Sequence, residues 1–462
     1  MIAKKNITKI FFIFLLTHTF LWTIIPSISN QNLPLDTIEA LAWASNIDWG
    51  FSKHPPFSAF VISAIYFIFG SNDWAYYFLS QICVVISFYF IWQLSKDFFN
   101  EKIFSLISLF LLETIAFFNY TTPEFNVYVC QLPLKVLTVY FFWKSVNNNK
   151  VFNWILLGIF SALGILTHYS FIIIILSLLI FFLFFVKKNK NTIKNFFLAS
   201  IIFLIILTPH LIWVIENDFT TIAYALNRSG VETKHWFAHF YNPLFFLLKQ
   251  LGMLSIFIIL FSTITSFKKK KKNNFNLKMY KKKKIFLFSI SILPIIIVFF
   301  ISLISGAKIR TMWMSTFYLF FSLFFLYYFK NKIDLKKINT FIYSSVFIFF
   351  ISPVIYLYVS KSNDSKRTDF QGKEIARLVE NKWYENYTNE IKVVVGDEWF
   401  AGNLSYHLIS RPIWMNDLKN KASKITEDQG VIYVGNPKIL KKICPGVFGT
   451  IKPVGFCMIG KR

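Results

Sequence analysis

Long apolar runs, most of them close to the ~20 residues a helix needs to cross a bilayer, constrain this chain more than any other feature. They fall at residues 7–28, 72–95, 103–120, 129–146, 151–167, 168–186, 195–214, 244–266, 285–305, 312–329 and 339–359. Such a series predicts a polytopic all-α membrane protein with about 11 transmembrane helices. Composition excludes the alternative of a soluble globular domain, since 55% of residues are hydrophobic and 20% are aromatic. A further run, 57–69, is too short to span and follows Pro55 and Pro56, so it is expected to lie along the membrane surface or to re-enter.

A net charge of +26 would suggest nucleic acid in a soluble chain. Here the lysines cluster in short loops between apolar runs, where they act as topology signals, and no nucleic-acid partner is expected. Lys4, Lys5 and Lys9 precede the first run, but no small-x-small cleavage site follows it, so it reads as a retained anchor. Lysine-rich loops alternate along the chain: Lys96 and Lys102, Lys150, Lys187 to Lys194, Lys268 to Lys284, and Lys330 to Lys337. The positive-inside rule places these loops and the N-terminus in the cytoplasm. Loops 29–71, 121–128, 215–243 and 306–311, together with the tail from about 360, then face outward. The expected organisation is a membrane domain over 1–359, with a first outer loop at 29–71, and an outer domain over 360–462.

The tail changes character. An amphipathic helix pattern at Gly372 to Tyr384 and short strand-like runs at Ile391 to Val395 and Val431 to Val434 predict a small α/β domain. Its segment V-V-V-G-D-E-W-F resembles a strand ending in a glycine turn, but no phosphate-binding glycine pattern follows, and no nucleotide is assigned. A domain that caps and orders the loops beneath it is the simpler reading. Cys444 and Cys457 both lie in this domain, which leaves a disulfide open in an oxidising compartment.

The outer loops carry the chemistry-bearing residues. Asp36 and Glu39 are three apart, so on a short helix starting at Pro34 both carboxylates project from one face, with Ile38, Leu41 and Ala42 resting on the membrane. Lys53 and His54 directly precede the proline pair, which holds their backbone in place. Other outer ends add Glu124 and Asn126, His168, His210, Asp218, and the cation pair Lys308 and Arg310, which suits an anion such as a lipid phosphate. His235 and His239 stand four apart, a spacing that can bind metal on a helix; with no acidic partner nearby, no metal site is assigned, although a divalent metal stays open. Glu113, in mid-run, is either a buried partner for another group or a transport residue.

The blocks E-A-L-A-W-A-S-N-I-D-W-G-F-S-K-H-P-P-F from Glu39, T-T-P-E-F-N-V-Y-V-C-Q-L-P-L from Thr121, P-H-L-I-W-V-I-E-N-D-F from Pro209 and G-A-K-I-R-T-M-W from Gly306 resemble one family over nearly the whole chain. That family is the polyprenyl-phosphate-sugar-dependent membrane glycosyltransferases, which include the dolichyl-phosphate-mannose protein mannosyltransferases (glycosyltransferase family 39) and the lipid A aminoarabinose transferase. The resemblance implies a C-type glycosyltransferase fold that takes a sugar from undecaprenyl phosphate on the periplasmic side and transfers it with inversion. It implies a first-loop carboxylate, Asp36 or Glu39, as general base. The lipid-phosphate leaving group needs no proton if cations neutralise it, which gives that role to Lys53, His54, Lys308 and Arg310, while Glu124, Asn126 and Asp218 shape the sugar pocket. Two positions depart from the family pattern: Ile38 stands where an aspartate often precedes the glutamate, and Lys53 stands where relatives often carry an acid.

The implied partners are a polyprenyl-phosphate sugar, membrane lipids and an envelope acceptor such as lipid A, a glycan or a protein. The implied location is the bacterial inner membrane, with the N-terminus cytoplasmic and the C-terminal domain periplasmic. A transporter or flippase for a lipid-linked anion is the alternative; it would use the same basic groups, but the chain shows no internal duplication of the kind many transporters carry.

Overall fold

The structure, a computed structural model, describes residues 6–230, 236–266, 277–362, 366–416 and 430–462. The helices that begin the chain are α1 (Ile7–Ser29), α2 (Leu35–Ala44), α3 (Phe57–Phe69), α4 (Asp73–Phe98), α5 (Lys102–Glu113), α6 (Val127–Asn148), α7 (Val151–Thr167) and α8 (Ile172–Phe185). They are followed by α9 (Lys190–Glu216), α10 (Thr220–Ser229), α11 (Ala238–Met253), α12 (Ser255–Thr263), α13 (Leu277–Ser291), α14 (Leu293–Ser305), α15 (Phe321–Tyr328) and α16 (Ile338–Ser362).

Every apolar run has a helical counterpart, but the runs do not all become single straight spans. Among the described residues four helices are long and apolar enough to cross a bilayer alone: Ile7–Ser29, Asp73–Phe98, Lys190–Glu216 and Leu335–Ser362. Two more spans are bent pairs, α11 with α12 at 47° and α13 with α14 at 41°. Pro294, at the start of α14, has no N–H to continue the ladder from α13, which accounts for the second bend. The run at 103–120 yields only the twelve residues of α5, and the run at 312–329 begins as a 3-10 helix, Thr311–Phe320, before becoming α15. Helix α3 has thirteen residues and ends at Gly70, whose φ of +59 turns the chain away, so the short run does not span.

Close packing needs small residues at the helix crossings. A Cβ on Gly158 of α7 would lie 2.5 Å from the Ala199 carbonyl oxygen of α9, so glycine sets that approach. Aromatic rings fill the opposite side of the bundle, where the Phe286 ring lies 4.5 Å from that of Trp143 and 5.2 Å from that of Phe181. Three buried ionisable residues, His18, Glu113 and Lys135, lie within the bundle. His18 Nδ1 stands 3.0 Å from a Glu113 oxygen, and its Nε2 is 3.1 Å from Gln81 Oε1. Glu113 therefore has a buried partner. Lys135 donates to the Thr316 hydroxyl and lies 3.4 Å above the Phe317 ring.

The C-terminal region is a small sheet domain. Its elements are α17 (Gly372–Tyr384), β1 (Val393–Val395), α18 (Phe400–His407), β2 (Ile413–Met415), β3 (Val431–Gly435), α19 (Pro437–Ile443), β4 (Val447–Ile451) and β5 (Val454–Ile459). The strand order is β2-β1-β3-β5-β4, parallel across β2, β1 and β3 and antiparallel across β3, β5 and β4. A disulfide joins Cys444 to Cys457. The domain sits on the first loop. Asn32 donates to Asn403 Oδ1 at 2.8 Å, Arg411 to the Leu41 carbonyl at 2.6 Å, and the Trp414 N–H to Ser45 Oγ at 2.8 Å.

Candidate active site

One cavity of about 490 Å³ lies where the first loop, the starts of α6 and α8, helix α10 and the segment before the 3-10 helix meet. Helix α2 forms one wall. Pro34, extended at ψ 162, starts it, and Asp36, Glu39, Ala40 and Trp43, at helical spacing, present one face to the cavity. The other face does not rest on the membrane as its apolar positions suggest. Ile38, Leu41 and Ala42 are fully buried, and a Cβ on Gly402 of α18 would lie 3.1 Å from Ala42 and 3.2 Å from Ile38. The C-terminal domain thus provides the apolar surface that the sequence pattern assigns to lipid.

The carboxylates of this wall differ in their partners. The Asp36 N–H, one of the unpaired donors at a helix start, is capped by Glu124 Oε1 at 3.0 Å. No ion pair involves the Asp36 carboxylate among the described residues. Glu39 Oε2 is 3.1 Å from Lys53 Nζ, and the same ammonium is 3.3 Å from Glu398 Oε1 of the C-terminal domain. Burial raises the Asp36 pKa, opposed by Lys53, Arg367 and Arg228. Burial pushes Glu39 up to about 8 against the pull of Lys53, with Glu398 and Asp36 adding to the rise. Glu124 is raised to about 7 by burial and then by the Asp36 charge. Lys53 loses solvation on burial, but Glu39 and Glu398 hold its pKa above the ordinary value.

The opposite walls bring cations and aromatic rings. Tyr224 and Arg228 come from α10, and Arg310, Met312 and Trp313 from the segment after α14. Neither guanidinium has an ion-pair partner among the described residues. His54 lies between the two sides, its ring 5.3 Å from His168 and 5.8 Å from Trp43. Burial, then His168 and nearby cations, push its pKa well below the ordinary value, so it is neutral. His168 hydrogen-bonds to Ser170 at 2.8 Å. His210 bridges the Tyr169 hydroxyl at 2.8 Å and the Trp49 carbonyl at 2.6 Å, which consumes both ring nitrogens in holding α9 to the first loop.

Residues 53–213 match the family model described as dolichyl-phosphate-mannose-protein mannosyltransferase. Two solved structures of ArnT from Cupriavidus metallidurans are similar over nearly the whole chain. The one bound to undecaprenyl phosphate has a TM-score of 0.60 at 11% identity and covers 96% of this chain and 97% of its own. The apo form has a TM-score of 0.62 at 10% identity and covers 97% and 98%. The chain has the ArnT fold. It is a multi-pass membrane protein with the architecture of a glycosyltransferase. No curated protein matches the sequence.

Within this fold the cavity collects Asp36, Glu39, Lys53, His54, Asn126 and Arg310. Asn126 also caps α6, its side-chain oxygen accepting the N–H groups of Tyr128 and Val129 at 3.0 Å. Glu124 stands behind Asp36, outside the lining, as the group that holds the helix start. Lys308 and Asp218 are exposed and do not line the cavity; the Lys308 N–H donates to the Ser229 carbonyl at 3.1 Å, which fixes the chain next to Arg310.

Three contributors were not singled out from sequence. Arg228 lies in a loop assigned outward and breaks the positive-inside pattern as Lys308 and Arg310 do, so the same signal applies to it. Glu398 lies inside the V-V-V-G-D-E-W-F segment, and nothing local marks it. Tyr128, within the T-T-P-E-F-N-V-Y block, has no signal beyond its place after Asn126. His235 lies outside the described residues; His239 Nδ1 donates to the Leu303 carbonyl, 2.9 Å away, and among the described residues no group of three or more His, Cys, Asp or Glu could hold a metal ion.

Proposed function

We propose that this protein transfers a sugar from a polyprenyl-phosphate donor of the undecaprenyl class to an envelope acceptor, on the periplasmic face of a bacterial inner membrane and with inversion at the anomeric carbon. The observation that carries this reading is the cavity itself, with carboxylates on the α2 wall facing guanidinium groups that have no ion-pair partner among the described residues, across a space large enough for a sugar phosphate.

Asp36 serves as general base. Its carboxylate faces the cavity without an ion-pair partner among the described residues, while Glu39 is engaged by Lys53. The acceptor hydroxyl gives its proton to Asp36 as its oxygen attacks the anomeric carbon. The bond to the phosphate oxygen breaks from the opposite side, and the electron pair leaves with the lipid phosphate. That leaving group is already an anion. Arg228 and Arg310, with Lys53 beside them, neutralise its added charge, so no general acid is required. His54 is neutral and acts as a hydrogen-bonding wall rather than a cation. Glu124 fixes the start of α2 by accepting the Asp36 N–H.

The lysine-rich loops support the orientation. Lys144 pairs with Asp97 at 2.6 Å and Lys282 reaches Asn147 at 2.9 Å, so these loops gather away from the cavity residues, as cytoplasmic loops would. In this reading the chain divides into 1–359 and 360–462, with the second unit backing the α2 wall of the cavity. The acceptor class stays broad: lipid A, a glycan or a protein hydroxyl.

Purified protein given undecaprenyl-phosphate sugars and envelope extracts should release undecaprenyl phosphate. Retention of full transfer by both Asp36→Asn and Glu39→Gln would sink the base assignment. The transporter alternative loses its best residue, because Glu113 is paired with His18 inside the bundle.

A further inference from the structure

The V-V-V-G-D-E-W-F segment, to which the sequence assigns no nucleotide, has a geometry built to deliver one side chain. Strand β1 ends at Gly396, whose φ of +156 is a conformation side-chain-bearing residues rarely adopt, and a Cβ there would lie 2.6 Å from the Val434 carbonyl oxygen. Asp397 then accepts the N–H groups of Trp399 and Phe400, each at 2.8 Å, and so starts α18. Glu398 lies between these two fixed points, and its carboxylate reaches Lys53 at 3.3 Å.

The platform beneath it is rigid for stated reasons. Gly402 brings α18 against Ala42 and Ile38 of α2. Arg411 donates to the Leu41 carbonyl at 2.6 Å, and the Tyr406 hydroxyl donates to Asp73 at 2.7 Å. Lys53 itself sits on a flexible four-carbon stem and carries three N–H donors. Glu39, in the first loop, accepts one at 3.1 Å, while Glu398 Oε1, from the C-terminal domain, holds the ammonium by charge at 3.3 Å without accepting a hydrogen bond. The remaining donors are left for the cavity that Lys53 lines.

We propose that Glu398 is a positioning residue for sugar transfer: from the C-terminal domain it shares the Lys53 ammonium with Glu39 and so holds the remaining N–H groups toward the anionic leaving group of the donor. This rests on the transferase reading above and adds to it that the C-terminal domain is part of the catalytic centre. Without Glu398 the ammonium would settle on Glu39 alone, and its free donors would no longer be aimed. The Glu398 charge acts on the protonation of both Glu39 and Lys53, in keeping with a unit of three.

The test is a double-mutant cycle on the full-length protein in detergent, reading undecaprenyl phosphate released from a panel of undecaprenyl-phosphate sugars. Glu398→Gln should lower kcat/KM roughly tenfold while moving the unfolding temperature by no more than about 3 °C. Added to Lys53→Gln, it should cost less than about twofold, because its effect passes through Lys53. Wild-type turnover in Glu398→Gln, or losses that multiply in the double variant, overturns the inference and leaves the transferase reading standing. If Glu398→Gln lowers the unfolding temperature instead, Glu398→Asp decides, since it restores the charge one methylene short of Lys53. Transfer that stays low at a normal unfolding temperature supports the inference, and transfer that recovers in step with it reduces Glu398 to a structural contact. A wild-type protein that releases no undecaprenyl phosphate from any donor overturns the transferase reading and this inference together.

Discussion

Two clusters of ionisable groups, one inside the helix bundle and one at the cavity, send the same signal in sequence and differ in structure. His18 and Glu113 consume each other at 3.0 Å, with Gln81 closing the second ring nitrogen at 3.1 Å. The cavity cluster is incomplete: Asp36, Arg228 and Arg310 face a shared space without ion-pair partners among the described residues. A charge near a membrane therefore marks function only when its neighbours leave capacity unused, since a satisfied pair has nothing to offer a substrate.

The sharpest break of this contrast is at the base. Asp36→Asn should reduce kcat by about a hundredfold or more, the range expected for loss of a general base, with little change in the unfolding temperature. Steady-state release of polyprenyl phosphate reads it, and a loss under about tenfold would move the role to Glu39. Next come the cations. Arg310→Ala and Arg228→Ala should each lower kcat/KM by roughly tenfold to a hundredfold, with lysine variants intermediate because the planar fork is lost while the charge stays. An arginine whose removal leaves the donor kinetics unchanged does not meet the phosphate.

The bundle cluster should behave in the opposite way. Glu113→Gln should cost about 1–3 kcal/mol of stability, because His18 is left with a poorer buried partner, while transfer per folded molecule stays within about twofold. Thermal unfolding followed alongside activity separates the two effects; a variant that unfolds normally but does not turn over would return Glu113 to the mechanism.

The smallest effect is in pH. Glu39 and Glu124 are raised to about 8 and about 7, above their ordinary range, so the folded state favours their protonated forms. Their contribution to stability is complete below the unfolded value and is lost as pH rises through the folded one. The unfolding temperature should accordingly decline between about pH 5 and 8, and Glu124→Gln should flatten the lower part of that decline. A Glu124→Gln protein with the wild-type slope would mean that this carboxyl is not held in its raised state.

Much of the fold was legible in sequence because bilayer thickness and helix period act locally. The helix at Gly372 to Tyr384 and the non-spanning helix at Phe57–Phe69 have the predicted limits. The breaks within longer runs were less legible, since apolar length says nothing about where a ladder is interrupted; Pro294 could have marked one, while the 3-10 winding of Thr311–Phe320 has no local cue. At the site, Asp36, Glu39, Lys53 and His54 were readable from spacing and from two prolines. Glu398 was not, because its partner is set by how the C-terminal domain docks. The same docking explains the misplaced face of α2: burial against α18 and burial against lipid leave the same apolar pattern at Ile38, Leu41 and Ala42. Lys308 and Asp218 lie in the right loops, but the chain carries them past the cavity.

The hydrogen bond from Asn32 to Asn403 joins residues 371 positions apart. During synthesis the α2 wall emerges near the beginning of the chain, while the surface that buries its apolar face is made close to the end. The membrane helices can insert in order, but the α2 wall has to wait for the C-terminal domain to fold onto the first loop. Until that domain is made, the inserted bundle carries an α2 whose apolar face has nothing to pack on.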